Sequence, residues 1–162
     1  MTQVPFRVGH GFDLHRLQPG GRLVVCGVVV SEQISPVAHS DGDVVFHATV
    51  DALLGAMGDG DIGERFPNTD PAWKDAPSRV FVDGAMKRVN GAGYRVLNAD
   101  ITILAERPML KGFKPEMRRA LAGLLGVHAD QVNIKAGTNE GCDAIGKGEA
   151  IAAHAVVLLA VG

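Results

Sequence analysis

Cysteine is scarce in this sequence: Cys26 and Cys142 are the two among 162 residues, too few for a disulfide framework. Basic residues carry no surplus either. The net charge is −2, and the clustered Lys and Arg that a phosphate backbone demands are missing, so no nucleic-acid partner is expected. Long apolar runs are also lacking. None approaches the ~20 residues that span a bilayer, so no membrane contact is expected. Met1-Thr2-Gln3-Val4-Pro5 has no basic stretch leading into an apolar one, and no signal peptide is read there. Aromatics are few at 5%, yet hydrophobic residues reach 46% and no low-complexity run appears. That is ordinary globular composition. A reducing cytoplasm is the expected location, with Cys26 a buried thiol inside Leu23-Val24-Val25-Cys26-Gly27-Val28.

The length suits one compact domain over residues 1–162, which would bury roughly 70% of its unfolded surface without staples. Periodicity predicts a strand over Phe6–His15 and a second over Leu23–Val30. Ser40 with Asp43 three residues on reads as a capping box for a helix running to about Met57, with Phe46, Val50, Leu53 and Met57 on one face. The stretch from Gly58 to Asp75 is too rich in Gly, Asp and Pro for either element; a loop that long is usually functional. A helix is expected over Ser78–Val89, a strand over Tyr94–Ala105 and a helix over Lys114–Leu125 stopped by Gly126. Val132–Ala136 reads as a strand and Gly141–Gly148 as a glycine-rich loop; Ala150–Ala160 fits helix or strand by length, and its run Ala155-Val156-Val157-Leu158-Leu159 favours a closing strand. Strands alternating with helices predict an α/β (α+β) domain, a mixed sheet with helices packed on one face.

Chemistry concentrates at three residues. Asp13 and His15, at i and i+2, share one face of an extended segment. His47 lies one turn into a capped helix and is held rigidly. Two imidazoles and a carboxylate suit zinc and leave a fourth tetrahedral position open. Spacing alone equally allows turn residues and a satisfied helical histidine. Asp43 and Asp51 share the helix face of His47; either could orient its ring, or both are dipole-favoured or solvated acids. Gly58-Asp59-Gly60-Asp61-Ile62-Gly63 matches the dinucleotide pattern G-x-G-x-x-G but follows a helix rather than a strand, and its aspartates would repel a pyrophosphate. Sugar or polyol hydroxyls suit it better.

Several strings occur together and in order: Gly9-His10-Gly11-Phe12-Asp13-Leu14-His15, His39-Ser40-Asp41-Gly42-Asp43, Gly60-Asp61-Ile62-Gly63, and Phe66-Pro67-Asn68-Thr69-Asp70-Pro71. Ala105-Glu106-Arg107-Pro108, Ile134-Lys135-Ala136 and Gly146-Lys147-Gly148-Glu149 follow. From about Phe6 onward the chain resembles the 2-C-methyl-D-erythritol 2,4-cyclodiphosphate synthase family. The resemblance implies a metal-dependent lyase of the non-mevalonate isoprenoid route. In that reaction the 2-phosphate of 4-diphosphocytidyl-2-C-methyl-D-erythritol 2-phosphate attacks the β-phosphorus and expels CMP. It implies Zn²⁺ at Asp13, His15 and His47, and Mg²⁺ or Mn²⁺ on the diphosphate with Glu140 as its carboxylate. His39 and Thr138 match the catalytic positions, on the attacking phosphate and the diphosphate side, with Ser40 beside His39. Asp61 and Gly63 match the erythritol contacts, and Ile62, Phe66 and Asp70 match further substrate-binding positions. Ala105, Pro108, Met109 and Leu110 match the cytosine pocket, and Asn139 and Lys147 complete the implied substrate contacts. Relatives are homotrimers with sites shared between subunits.

The chain departs from the family in four places. Met109 stands where Lys is common, removing a cation near the nucleotide. Gly141-Cys142-Asp143-Ala144 replaces a Lys-Leu-Gly-Phe-like stretch that lines a central trimer cavity able to hold an isoprenoid diphosphate. Lys147 stands where Arg is frequent, a point charge for a fork. Asn68 replaces a usual Asp. None is a zinc ligand. Two rival functions remain: a zinc hydrolase of nucleoside diphosphate compounds, and a trimeric module binding metal or isoprenoid diphosphate without turnover.

Overall fold

The computed structural model describes residues 4–162; Met1, Thr2 and Gln3, where no leader pattern was read, lie outside them. Five strands form a mixed sheet in the order β4-β1-β7-β5-β6. These are β1 (Phe6–Pro19), β4 (Ile34–Pro36), β5 (Tyr94–Leu104), β6 (Val132–Gly137) and β7 (Ala150–Val161). Only β5 and β6 are parallel; β1 runs antiparallel to β4 and β7, and β5 antiparallel to β7.

The expected second strand is two. β2 (Leu23–Val25) and β3 (Val28–Ser31) form a hairpin, because Cys26 and Gly27 both take positive φ, 54° and 74°, and turn the chain between them. The β-branched run concealed that turn, since Cys is rarely read as a turn residue. Cys26 is nonetheless buried, as expected.

Helix α1 (Val44–Met57) is capped by Asp43, whose side chain accepts from Val45 N–H and Phe46 N–H. The expected capping box from Ser40 is therefore corrected. The helix starts three residues later, and the Ser40 hydroxyl bonds Gly42 N–H and faces His47 instead. The Gly58–Asp75 segment holds a short helix, α2 (Ile62–Arg65), and a 3-10 turn over Pro71–Trp73. Asp61 and Asp70 cap these two, each using the short carboxylate that made the segment read as loop. Then come α3 (Arg79–Gly91), α4 (Lys114–Leu125) and α5 (Asp143–Gly146), the last inside the expected glycine-rich loop.

One face of the sheet is covered. Ile101 and Ile103 of β5 and Ile151, Ala153, Ala155, Val157 and Leu159 of β7 are buried with Leu53, Val82, Met117 and Leu121 of the helices. The other face is covered only at one end, where Ile145 of the short helix α5 buries Ala150 and Ala152, a departure from helices on one face alone; elsewhere it leaves Val8, Phe12, Leu14 and Val156 exposed. Strand alternation makes this division inevitable once one face packs on helices. Among the described residues no helix is long and apolar enough to cross a membrane.

Candidate metal centre and its surroundings

The centre is built by close packing of α1 on β1. A Cβ at Gly9 or Gly11 would overlap the Ala52 or Ala48 carbonyl oxygen respectively, so only glycine lets the helix lie directly on the strand backbone. Two and four residues beyond Gly11, on the same face, come Asp13 and His15. His47 faces them from the first turn of α1.

The three converge. Asp13 Oδ2 lies 2.9 Å from His15 Nε2 and 3.1 Å from His47 Nδ1, and the two ring nitrogens are 3.2 Å apart. Burial works against ionising Asp13, but its hydrogen bonds to the His15 and His47 rings and their charge prevail, holding the carboxyl well below the usual carboxylate range. A tetrahedral ion with bonds of about 2.1 Å keeps its donors roughly 3.4 Å apart. Two imidazoles and one ionised carboxylate at these separations fit a divalent metal, and the trio is the group found able to hold one among the described residues.

The other face of the His47 ring is filled by protein. Phe81 of α3 packs on it with ring centroids 6.0 Å apart. His47 Nε2 lies 2.8 Å from Ser78 Oγ and 3.2 Å from Ser40 Oγ. The possible orienting acids, Asp43 and Asp51, do not touch the ring. Asp43 is spent on the helix cap and on Cys26 N–H and Gly27 N–H, and Asp51 accepts from Ile62 N–H. The helical wheel placed them correctly on one face. It could not show that backbone donors would occupy both.

A cavity of about 320 Å³ opens over the trio, lined also by His39, Ser40, Ile62, Gly63, Phe66, Asn68, Trp73 and Phe81. Asp61 and Asp70 are exposed and stand at its margin as caps rather than as lining. A separate cavity of about 310 Å³ gathers Ala105, Glu106, Pro108, Met109, Leu110, Ala136, Gly137 and Thr138. Met109 is 83% exposed there. Glu140 N–H approaches Thr138 Oγ1 at 3.4 Å, Asn139 donates to Asp143, and Lys147 is exposed. The two cavities share no lining residue.

The family model described as YgbB matches residues 6–160. The chain belongs to the YgbB family.

Curated relatives agree in name. The chain is 51% identical over 153 residues to 2-C-methyl-D-erythritol 2,4-cyclodiphosphate synthase of Serratia proteamaculans, covering 94% of this chain and 98% of that one. It is 48% identical over 156 residues to the chloroplastic synthase of Arabidopsis thaliana, covering 96% of this chain and 68% of the relative. A solved synthase with CDP bound superposes with a TM-score of 0.88 at 38% identity, covering 94% of this chain and 99% of that structure.

Ser78 and Trp73 went unnoticed in the sequence. Ser78 looked like an ordinary helix-starting serine, and Trp73 is the one tryptophan, a signal that could have been weighed. Trp73 lies 5.4 Å from the Phe66 ring and 5.9 Å from the Phe81 ring, walling the cavity.

Proposed function

We propose that the chain, acting as one domain, converts 4-diphosphocytidyl-2-C-methyl-D-erythritol 2-phosphate to 2-C-methyl-D-erythritol 2,4-cyclodiphosphate and CMP in the non-mevalonate route. The observation that carries this reading is the convergence of Asp13, His15 and His47 on a cavity shared with His39 and Ser40, in a member of the YgbB family. An oxygen of the 2-phosphate forms a bond to the β-phosphorus while the bond from that phosphorus to the oxygen leaving with CMP breaks. Nucleophile and electrophile belong to one molecule, so the protein has to fold the substrate and offset its charge.

Asp13, His15 and His47 would hold Zn²⁺, which when bound supplies a Lewis acid for a phosphate oxygen. His39 and Ser40, on the segment entering α1 and lining the cavity, would hold the 2-phosphate by hydrogen bonds. Ile62, Gly63 and Phe66 shape the wall for the methylerythritol, with Asp61 and Asp70 at the rim. Ala105, Pro108, Met109 and Leu110 would receive the cytosine; the solved relative with CDP supports a cytidine diphosphate ligand. Thr138, Asn139 and Lys147 would contact the diphosphate. Glu140 would hold Mg²⁺ or Mn²⁺ there, an oxygen ligand for a hard cation.

The test is CMP release from the diphosphocytidyl substrate, with and without chelator, followed by product analysis. Chelator-sensitive CMP together with a cyclic diphosphate is expected. A linear monophosphate would mean hydrolysis, and metal binding without CMP release would mean a binding module; either outcome refutes the cyclase.

The disjoint cavities and the exposed apolar sheet face support a closed homotrimer whose sites are completed by a neighbouring subunit. Mixed refolding tests this. His47→Ala and Thr138→Val should each be inactive alone; refolded together in equal amounts, they should recover roughly a quarter of wild-type activity, the fraction of head-to-tail interfaces with both competent sides. Zero recovery in trimers confirmed by sizing would rule out the shared site.

A further inference from the structure

Ser78 stands at the N-terminal boundary of α3, where a serine hydroxyl ordinarily accepts from the backbone N–H groups of the first turn. Its side chain makes no such bond. The hydroxyl is fully buried and turned the other way, 2.8 Å from His47 Nε2. On its far side it donates to Asp41 Oδ1 in a short contact, while Ser78 N–H donates to Asp41 Oδ2 at 3.0 Å. Asp41 also accepts from Asp43 N–H at 3.2 Å, which ties it to the start of α1.

These bonds have one consistent direction. Carboxylate oxygens only accept, so the Ser78 proton goes to Asp41 and the Ser78 lone pairs are left for a donor. The nearest group that can donate is His47 Nε2–H at 2.8 Å, the Ser40 hydroxyl lying farther off at 3.5 Å. Asp13 Oδ2, 3.1 Å from Nδ1, competes for the same ring proton; with the proton held on Nε2 by Ser78, the Nδ1 lone pair is left facing Asp13 Oδ2 and His15 Nε2, as a metal ligand requires.

We propose that Asp41 and Ser78 form a carboxylate–hydroxyl relay that fixes the tautomer and orientation of His47, and so sets the affinity of the metal centre. They are positioning residues. Ser78 and Phe81, three apart on α3, hold the ring by its edge and its face, so the helix serves as a backing plate for the ligand. The relay also spares the nearby Ser40, whose hydroxyl lies 3.2 Å from the same nitrogen and lines the cavity. Ser78 has helical φ and ψ, −60° and −20°, outside the capping conformation, so its hydroxyl is free for this contact. The inference rests on reading Asp13, His15 and His47 as a metal site.

Two measurements test it. Long-range proton–nitrogen NMR on the metal-free protein at pH 8 should show His47 with its proton on Nε2 in the wild type, and a mixture of tautomers in Ser78→Ala and Asp41→Asn. Zn²⁺ affinity, read by competition with a chromophoric chelator, should weaken 10–100-fold in both variants, the usual range for losing such a partner. Ser78→Thr, which keeps the hydroxyl, should restore most of it. Melting of each metal-free variant checks folding. If Ser78→Ala does not fold, Asp41→Asn and Ser78→Thr carry the comparison. A wild type that binds no Zn²⁺ would overturn the metal reading itself. A wild type that binds while both Ser78→Ala and Asp41→Asn bind equally well, His47 remaining the Nε2–H tautomer, would overturn the relay alone and assign the ring to Ser40.

Discussion

Asp43 sits at the junction of the β2–β3 hairpin and α1, fully buried. One oxygen accepts from Cys26 N–H at 2.8 Å, Val45 N–H at 3.1 Å and Phe46 N–H at 3.2 Å. The other accepts from Gly27 N–H at 2.6 Å. Burial pushes its carboxyl up to about 6, with nearby Asp41 adding to the rise and the Gly27, Cys26 and Phe46 N–H groups opposing it. The folded value lies above the ordinary 3.8, so the folded state binds the proton more tightly than the unfolded chain. The stability this contributes is fully present below pH 3.8 and is lost as pH rises through about 6. A difference of about 2 pKa units amounts to about 3 kcal/mol.

Asp43→Asn turns an amide NH₂ or oxygen toward donors that all need acceptors, leaving at least one buried N–H unpaired at a cost of about 1–3 kcal/mol. It also removes the titration. Urea unfolding of both proteins at half-unit steps from pH 3.5 to 7.5 measures the effect. The advantage of wild type over Asp43→Asn should shrink by about 3 kcal/mol across that range. Taking the difference cancels Asp51, also raised by burial, and Asp13, which is lowered. Parallel profiles, or an Asp43 carboxyl carbon titrating near pH 4 by NMR, would refute the reasoning.

Other perturbations follow from the same structure. Gly11→Ala forces the β1 backbone off α1; overpacking should cost about 1–3 kcal/mol in thermal unfolding and weaken Zn²⁺ binding by separating Asp13 and His15 from His47. Asp13→Asn, His15→Ala and His47→Ala should each abolish turnover and Zn²⁺ binding while circular dichroism shows a folded chain; near-normal activity at low free zinc would refute the ligand assignment. Met109→Lys should tighten CMP by ~0–1 kcal/mol, the size of a surface ion pair, with a steeper salt dependence by calorimetry; weaker binding would mean that Met109 packs on the base.

Much of the architecture is local and was therefore legible before any coordinates. The Gly126 stop of α4 depends on residues within one element, as does the pairing of Asp13 with His15 on one strand face; β7 was read as a strand from its apolar run Ala155–Leu159. The family resemblance adds proposed roles for His39, Thr138 and Glu140, which no spacing could have supplied. What the sequence could not decide is how partners far apart in the chain divide a limited set of donors and acceptors. Asp43 and Ser40 were both good caps for α1, and the hairpin turn at Cys26–Gly27 decided between them by offering Asp43 two further N–H donors. Ser78 reads as an ordinary helix-starting serine, yet its backbone is already helical and its hydroxyl goes to His47, 31 residues away, and to Asp41. Local rules rank the candidates for each hydrogen bond; only the packed structure settles the competition, because a buried polar group must find its partner wherever the fold brings one.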